Sequence, residues 1–382
     1  MTEGPLVAEF VDSISKINAE SWNGWTNGNP FVSHAFLNAL EQSGCVAAET
    51  GWQPYHIILR NSQSGVPVGF MPCYIKSHSF GEYVFDHAWA GAFERAGGNY
   101  YPKLQSSVPF TPVTTPRLLA APGMADQVQS ALLNAVQSLV EKTGLSSAHL
   151  TFLQKKDAKL AETHGYMVRT DQQFHWQNQN YVDFKDFLDS LSSRKRKQIK
   201  KERQIALSTG IEIEQINGAD ITEGHWDHFF EFYQDTGTRK WGQPYLNRTF
   251  FSLINASMAE NILLFMCKRD GKYIAGALNF LGPDTLYGRY WGCREEQPCL
   301  HFEACYYRAI DYAIANGLSY VEAGAQGPHK LARGYSPVKT YSAHWITNPD
   351  FRDAISRFLV IERQEIDADI DYLSARTPFK SK

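Results

Sequence analysis

The stretch "NILLFMCKRDGKYIAGALNFLGPDTLYGRYWGC", residues 261–293, decides the fold. An apolar run turns on Arg269-Asp270-Gly271 and returns as a second apolar run, the pattern of a hairpin. "DTLYGRYWGC" follows as a third strand, rich in aromatics. "FEACYYRAIDYAIANG" (302–317) has helical spacing and stops at Gly317, and "SYVEAG" (319–324) closes the unit as a strand. Upstream, "HWDHFFEFYQDT" (225–236) is helical.

The first half repeats this order. "NPFVSHAFLNALEQSG" (29–44) predicts a helix capped by Ser33 and ended by Gly44. "YHIILRNSQSGVPVGFMPCYIK" (55–76) predicts a hairpin, and "GEYVFDHAWAG" (81–91) a third strand. A Pro- and Gly-rich stretch, 96–125, interrupts before the helix "ADQVQSALLNAVQSLVEKTG" and the strand "AHLTFL". The shared order reads as a diverged internal repeat, with His87 opposite Arg289 and Trp89 opposite Trp291. Two unrelated α/β domains sharing an order is the competing reading. The expected units are 1–180 and 181–382, the second including a basic linking helix and the C-terminal helix "FRDAISRFLVIERQEIDADIDYL".

A chain of 382 residues with 43% apolar residues has enough material for two buried cores. Its net charge of −3 exerts no global pull on nucleic acid or anionic membrane, so a basic site must be local. One such place is 194–203, where seven of ten residues are Lys or Arg. It reads either as a solvated helix face or as a rail for the phosphates of a nucleotide-bearing substrate. The six cysteines form no CxxC pair and read as free thiols of a reducing compartment. With no signal peptide and no apolar span, a cytoplasmic protein is expected.

The chemistry concentrates after the last strand, in "GAQGPHKLARGY" (324–335). Pro328 suits the first position of a short helix, and Gly334 the left-handed residue that ends one. In that turn Lys330 and Arg333 lie three apart and His329 and Arg333 four apart, so they are expected to share a side. Free N–H groups at the turn's start would add an anion-attracting dipole. A basic surface loop capping the sheet is the alternative. The segment lacks GxxxxGK[ST], which argues against NTP hydrolysis here. Strand alternation places Tyr287, Arg289 and Trp291 on one face, and Phe85, His87 and Trp89 on the corresponding face of the first half with Asp86 opposite. His301 and Glu303 open the helix after the third strand, where Glu303 also complements the helix dipole. Candidate substrate contacts are thus Arg333, Gln326, Arg289, Tyr287, Glu303, His87 and Asp86. "HWDH" has i, i+3 histidines but no HExxH or cysteine cluster, so no metal site is expected.

The order of elements resembles the GNAT acyltransferase fold, an α/β (α+β) architecture, here as two tandem units with mixed sheets flanked by helices. That duplication is typical of the Fem-like peptidyltransferases. More narrowly, the chain is similar to the FemAB-like N-acyltransferases of peptidoglycan biosynthesis or recognition. The residues that carry this are "VGFMPCYIKSHSFGEYVFDHAWA", "YYPKL", "PFTPV", "QFHWQN", "GALNFLGPDTLYGRYWG", "LHFEACYYRAI" and "GAQGPHKLARGY". The resemblance implies that Lys330, matching the lysine of a Phe-Lys-x-x-Phe-Gly pattern, stabilises an oxyanion. Gly334 matches the glycine, while His329 and Arg333 replace both aromatics. The glycine-rich coenzyme A loop of GNAT enzymes has no clear counterpart in "LAAPGMA" or "REEQPCLHF". The implied co-substrate is therefore aminoacyl-tRNA, with 194–203 as a possible tRNA contact, or an acyl-CoA held in another way; no tightly bound cofactor is implied.

The resulting expectation is N-acyl transfer from an activated donor to an amine, on a peptidoglycan-precursor-like acceptor. His329 or His301 would serve as base, and Lys330 with Arg333 would hold the developing charge. The alternatives are a coenzyme A-dependent N-acyltransferase acting on a small amine or a protein, and a non-catalytic module binding a muropeptide or lipid-linked precursor.

Overall fold

The computed structural model describes residues 4–241, 244–324 and 327–380. Packing divides the chain into Met1–Asp171 with Lys339–Ala368, and Gln172–Val338 with Asp369–Lys382. The expected boundary at 180/181 falls instead at Asp171/Gln172, and 339–368 belongs with the first unit. Residues Tyr341–Ile346 pair with a first-unit strand, and Ile355 and Leu359 bury against Trp89 and Tyr100.

The first unit contains β1 (Leu6–Val11), β2 (Trp52–Pro54), β3 (His56–Asn61), β4 (Pro67–Met71), β5 (Tyr74–Lys76), β6 (Lys103–Ser106), β7 (Leu119–Ala120) and β8 (Ser147–Leu153). β1, β3, β4 and β7 form an antiparallel sheet. β2, β5, β6 and β8 lie side by side in a second sheet, where β6 and β8 run parallel. Its helices are α1 (Ala19–Asn23), α2 (His34–Gln42), α3 (His87–Arg95), α4 (Ala125–Thr143) and α5 (Lys155–Thr163). The Ser33 hydroxyl caps α2 by accepting from the Phe36 N–H at 3.2 Å, as the sequence predicts.

The second unit carries β9 (Met167–Gln177), whose last residues pair within it, then α6 (Phe184–Ser190), α7 (Ser193–Leu207) and β10 (Glu212–Asn217). α8 (Glu223–Trp241) and α9 (Arg248–Met258) precede β11 (Ile262–Arg269), β12 (Lys272–Leu281) and β13 (Thr285–Cys293). Helix α10 (Leu300–Phe302) passes through a π turn, Glu303–Tyr307, into α11 (Arg308–Ala315). β14 (Tyr320–Glu322), a 3-10 turn (Pro328–Arg333), β15 (Ser336–Ile346) and α12 (Pro349–Ser374) complete the chain. The strand order is β10-β11-β12-β13-β14-β9, antiparallel except for β13 beside β14. The expected hairpin turns where Asp270 and Gly271 take positive φ, 50° and 73°.

Two expectations fail. "FDHAWAG" is helical: Asp86 precedes α3, and Trp89 and Phe93, four apart, both pack into one core cluster. Period-two spacing over Phe85, His87 and Trp89 was too short to exclude a helix. The strand that parallels β8, as β13 parallels β14, is β6, inside the stretch read as an interruption. His87 therefore does not correspond to Arg289, nor Trp89 to Trp291. The second failure concerns the face of β13. Its pairing with β12 slips after Leu278, so that Tyr290 opposes Leu278, Gly288 opposes Asn279, and Arg289 is the extra residue of a bulge. Leu286 and Trp291, five apart, pack into the same core only because this inserted residue turns the strand over. Tyr287 and Trp291 accordingly do not share a face.

Candidate functional site

The turn predicted over 328–333 forms, and its side chains diverge. Gly334 ends it at φ 89°, where an added Cβ would also lie 2.7 Å from the Phe187 ring. Gly334→Ala is expected to destabilise the protein by about 1–3 kcal/mol, read as a lower urea midpoint with unchanged slope. Lys330 points inward: it is 1% exposed, and its Nζ donates to the Gly324 carbonyl at 2.8 Å. His329 remains exposed, with Nε2 2.9 Å from the Tyr306 hydroxyl. Arg333 donates to both carboxylate oxygens of Glu202, at 3.0 and 2.9 Å, and to the His329 carbonyl, and lies over the Phe302 ring. The three basic groups thus do not gather on one side. A 3-10 turn places residues three apart in register, whereas burial here draws one cation to a carbonyl and another to a carboxylate.

A cavity of about 80 Å³ lies where β13 and β14 stop pairing, and Lys330, which does not itself line it, is joined to it through the Gly324 carbonyl. Their parallel ladder covers only Thr285–Tyr287 and Tyr320–Glu322, and the cavity is lined by Arg289 and Trp291 on one side and Ala323 and Gly324 on the other. His301, Cys305 and Tyr306 close it from the helix, with the His301 ring 5.4 Å from Trp291 and 5.3 Å from Tyr306. Arg289 donates to Glu322 at 2.9 Å, which fixes a buried ion pair at the rim. His175 lies 3.8 Å from the same carboxylate, and burial holds its basicity below normal. Among the described residues Lys330 forms no ion pair, so burial and then the neighbouring Arg289 charge draw its amine down to about 7. The arrangement is a small chamber beside a lysine that changes charge near neutrality.

Comparison with known families gives a match over residues 13–381 to the FemAB-like family, described as peptidoglycan biosynthesis/recognition. The chain belongs to this FemAB-like family. A comparison with curated proteins finds no significant match. Among solved structures, FemX is similar at 13% identity and TM-score 0.55, covering 91% of this chain and all of FemX. L-PGS from Bacillus licheniformis is similar at 10% identity and TM-score 0.52, covering 87% of this chain and 98% of its own. These likenesses bear out the expected tandem GNAT-like architecture.

Other candidates in this FemAB-like chain are held in the framework. Glu303 is fully buried and accepts from Arg203, at 3.0 and 2.9 Å, and from Arg308 at 3.0 Å. Tyr287 is buried beneath Arg289, whose guanidinium is 5.1 Å from its ring. Asp86 bonds the Tyr100 hydroxyl at 2.7 Å and the Lys103 amine. Burial opposes its charge, but Lys103 holds the carboxyl well below the usual range. His87 is exposed beside Phe80, 5.9 Å between rings. Gln326 lies outside the described residues. Glu322, His175, Cys305 and Glu202 were not singled out by sequence. The signal for Glu322 was a carboxylate inside a closing strand read as buried, and for His175 its place in "QFHWQN". Among the described residues no group of three His, Cys, Asp or Glu could hold a metal ion. The turn before α10 has no glycine and ends on Cys299 at φ 64°, unlike a glycine-rich coenzyme A loop. No helix among the described residues is long and apolar enough to cross a membrane.

Proposed function

We propose that the chain transfers an acyl or aminoacyl group from an activated donor to an amine of a peptidoglycan-precursor-like acceptor, with Lys330 at the reacting centre. The observation that carries this reading is a buried lysine amine, drawn down to about 7, that donates to the carbonyl of Gly324, a residue lining the chamber between β13 and β14. An incoming ammonium gives a proton to neutral Lys330, with His301 on the chamber wall as a second acceptor. The freed amine attacks the donor carbonyl, forming a C–N bond. Lys330, now an ammonium, faces the oxyanion as it develops; the ester or thioester bond then breaks, the second proton of the attacking nitrogen passes to the leaving group, and Lys330 releases its own proton to solvent. Arg333 and Glu303 act as struts that hold the turn and the helix in place. Cytoplasmic chemistry fits six free cysteines.

Aminoacyl-tRNA is the preferred donor because α7 exposes Arg194, Lys197, Lys200 and Lys201, none of which forms an ion pair among the described residues. Thermal-shift titrations with uncharged tRNA, aminoacyl-tRNA and acyl-CoA are the test. Stabilisation by tRNA that weakens with salt is expected, and Lys197→Ala with Lys201→Ala should lower the log–log salt slope by about one per lysine. Stabilisation by acyl-CoA alone would replace tRNA with a coenzyme A donor. Precursor binding without turnover of any donor would make the chain a recognition module.

A further inference from the structure

A second cleft, of about 230 Å³, opens in the same unit between β10, β11 and α11. Ile213 and Phe265 supply an apolar wall, and Arg308 and Asp311, one turn apart on α11, supply opposite charges. Both charged groups are braced from behind. Arg308 donates through Nε to Glu303 at 3.0 Å, Arg203 donates to Glu303 at 2.9 Å, and Arg203 donates to Asp311 Oδ2 at 2.7 Å. Arg308, Glu303, Arg203 and Asp311 therefore form a chain of alternating charge built on a carboxylate that is fully buried. That chain engages Nε of Arg308 and Oδ2 of Asp311, while among the described residues the terminal Nη groups and Oδ1 remain for a ligand.

A purely anionic ligand in this cleft would meet Asp311, and a purely cationic one would meet Arg308. A dipolar ligand satisfies both, and side chains one helical turn apart stand roughly 5–6 Å apart, within reach of a carboxylate and an ammonium on neighbouring atoms. The polarity of α11 agrees. Its C-terminal end, at Ala315, favours the ammonium beside Asp311 and leaves the carboxylate one turn back at Arg308. The volume lies below the range of about 300–1,000 Å³ typical of pockets for drug-sized ligands, which suits a ligand the size of a single amino acid. We propose that this cleft binds a free, zwitterionic α-amino acid with a small or medium apolar side chain. The inference stands apart from the transfer reaction and from Lys330.

Calorimetric titration of the full chain with L-valine and L-leucine, beside their N-acetyl and carboxamide derivatives, tests it. Saturable binding of the free amino acids is expected, weakened about tenfold or more when either end is blocked. Ala315→Trp, at an exposed rim position, should abolish binding while leaving the circular dichroism spectrum and melting temperature unchanged, and Asp311→Asn should weaken it about tenfold. Blocked derivatives that bind as well as free amino acids, undiminished binding by Ala315→Trp, or no heat up to about 10 mM ligand would each overturn the proposal.

Discussion

Replacing Lys330 by alanine is expected to lower acyl transfer by about 10²–10³-fold, the usual loss when one donor to a developing oxyanion is removed. The pH profile identifies the cause. Transfer needs one proton shared between Lys330 and the acceptor amine. When both are protonated there is no nucleophile, and when both are neutral there is no cation for the oxyanion. With Lys330 drawn down to about 7, kcat/KM rises through that pH on its acid side, and the Lys330→Ala protein lacks this limb. Lys330→Arg restores the cation but cannot give up its proton, so it should not recover the rate at pH 7. Stability moves with pH in the same direction as activity. Below about pH 7 Lys330 is protonated in both folded and unfolded chains, and the burial penalty is fully present. As pH rises from there toward the ordinary lysine value the unfolded chain holds the extra proton, and the native state gains stability. Lys330→Met removes that gain and melts higher than the parent at pH 6. A Lys330→Ala protein that folds and transfers at the parental rate would remove this lysine from the mechanism.

Lys103→Met is expected to destabilise the first unit by about 3–5 kcal/mol, measured by urea unfolding. Lys103 is completely buried and donates to Ser79 and Glu82, both at 2.8 Å, and to Asp86. Burial disfavours its charge, yet the two carboxylates raise its basicity above normal. Removing the cation leaves Glu82, already pushed up by burial to about 7, and Asp86 with Lys76, 4.0 Å from Glu82 and itself drawn down by burial to about 7, as their nearby cation. The triple change Lys103→Met, Glu82→Gln, Asp86→Asn should recover part of the loss, because both carboxylates are neutralised together with their cation, while buried Lys76 loses their support. An undiminished urea midpoint in the single variant would show that water reaches this cluster.

Asp86 illustrates how far sequence reasoning reached. Its residue type and neighbourhood suggested a ligand contact, and nothing in local spacing announced Lys103, seventeen positions later, as its partner. Arg333 and Glu303 raise the same difficulty: their counter-charges, Glu202 and Arg203, come from the basic helix some hundred residues upstream. The hairpin on Asp270-Gly271, the turn from Pro328 to Gly334 and the cap at Ser33 were legible because each depends on a few adjacent residues. "FDHAWAG" was misread because three alternating positions cannot separate a strand from the first turn of a helix.

What the sequence by itself determined is the helix, hairpin, third strand, helix and closing strand of the second unit, the tandem plan, and the place of a lysine just past the last strand of that unit. These follow from turn chemistry and apolar periodicity, which act over a few residues. Only the tertiary structure decided that Lys330 turns inward while Arg333 is tied to Glu202. It also decided that a bulge at Arg289 reverses the face of β13, and that residues 339–368 complete the first unit. Burial, charge pairing and strand register depend on segments far apart in the chain. A side chain's direction is therefore settled by which remote partner lowers its desolvation cost.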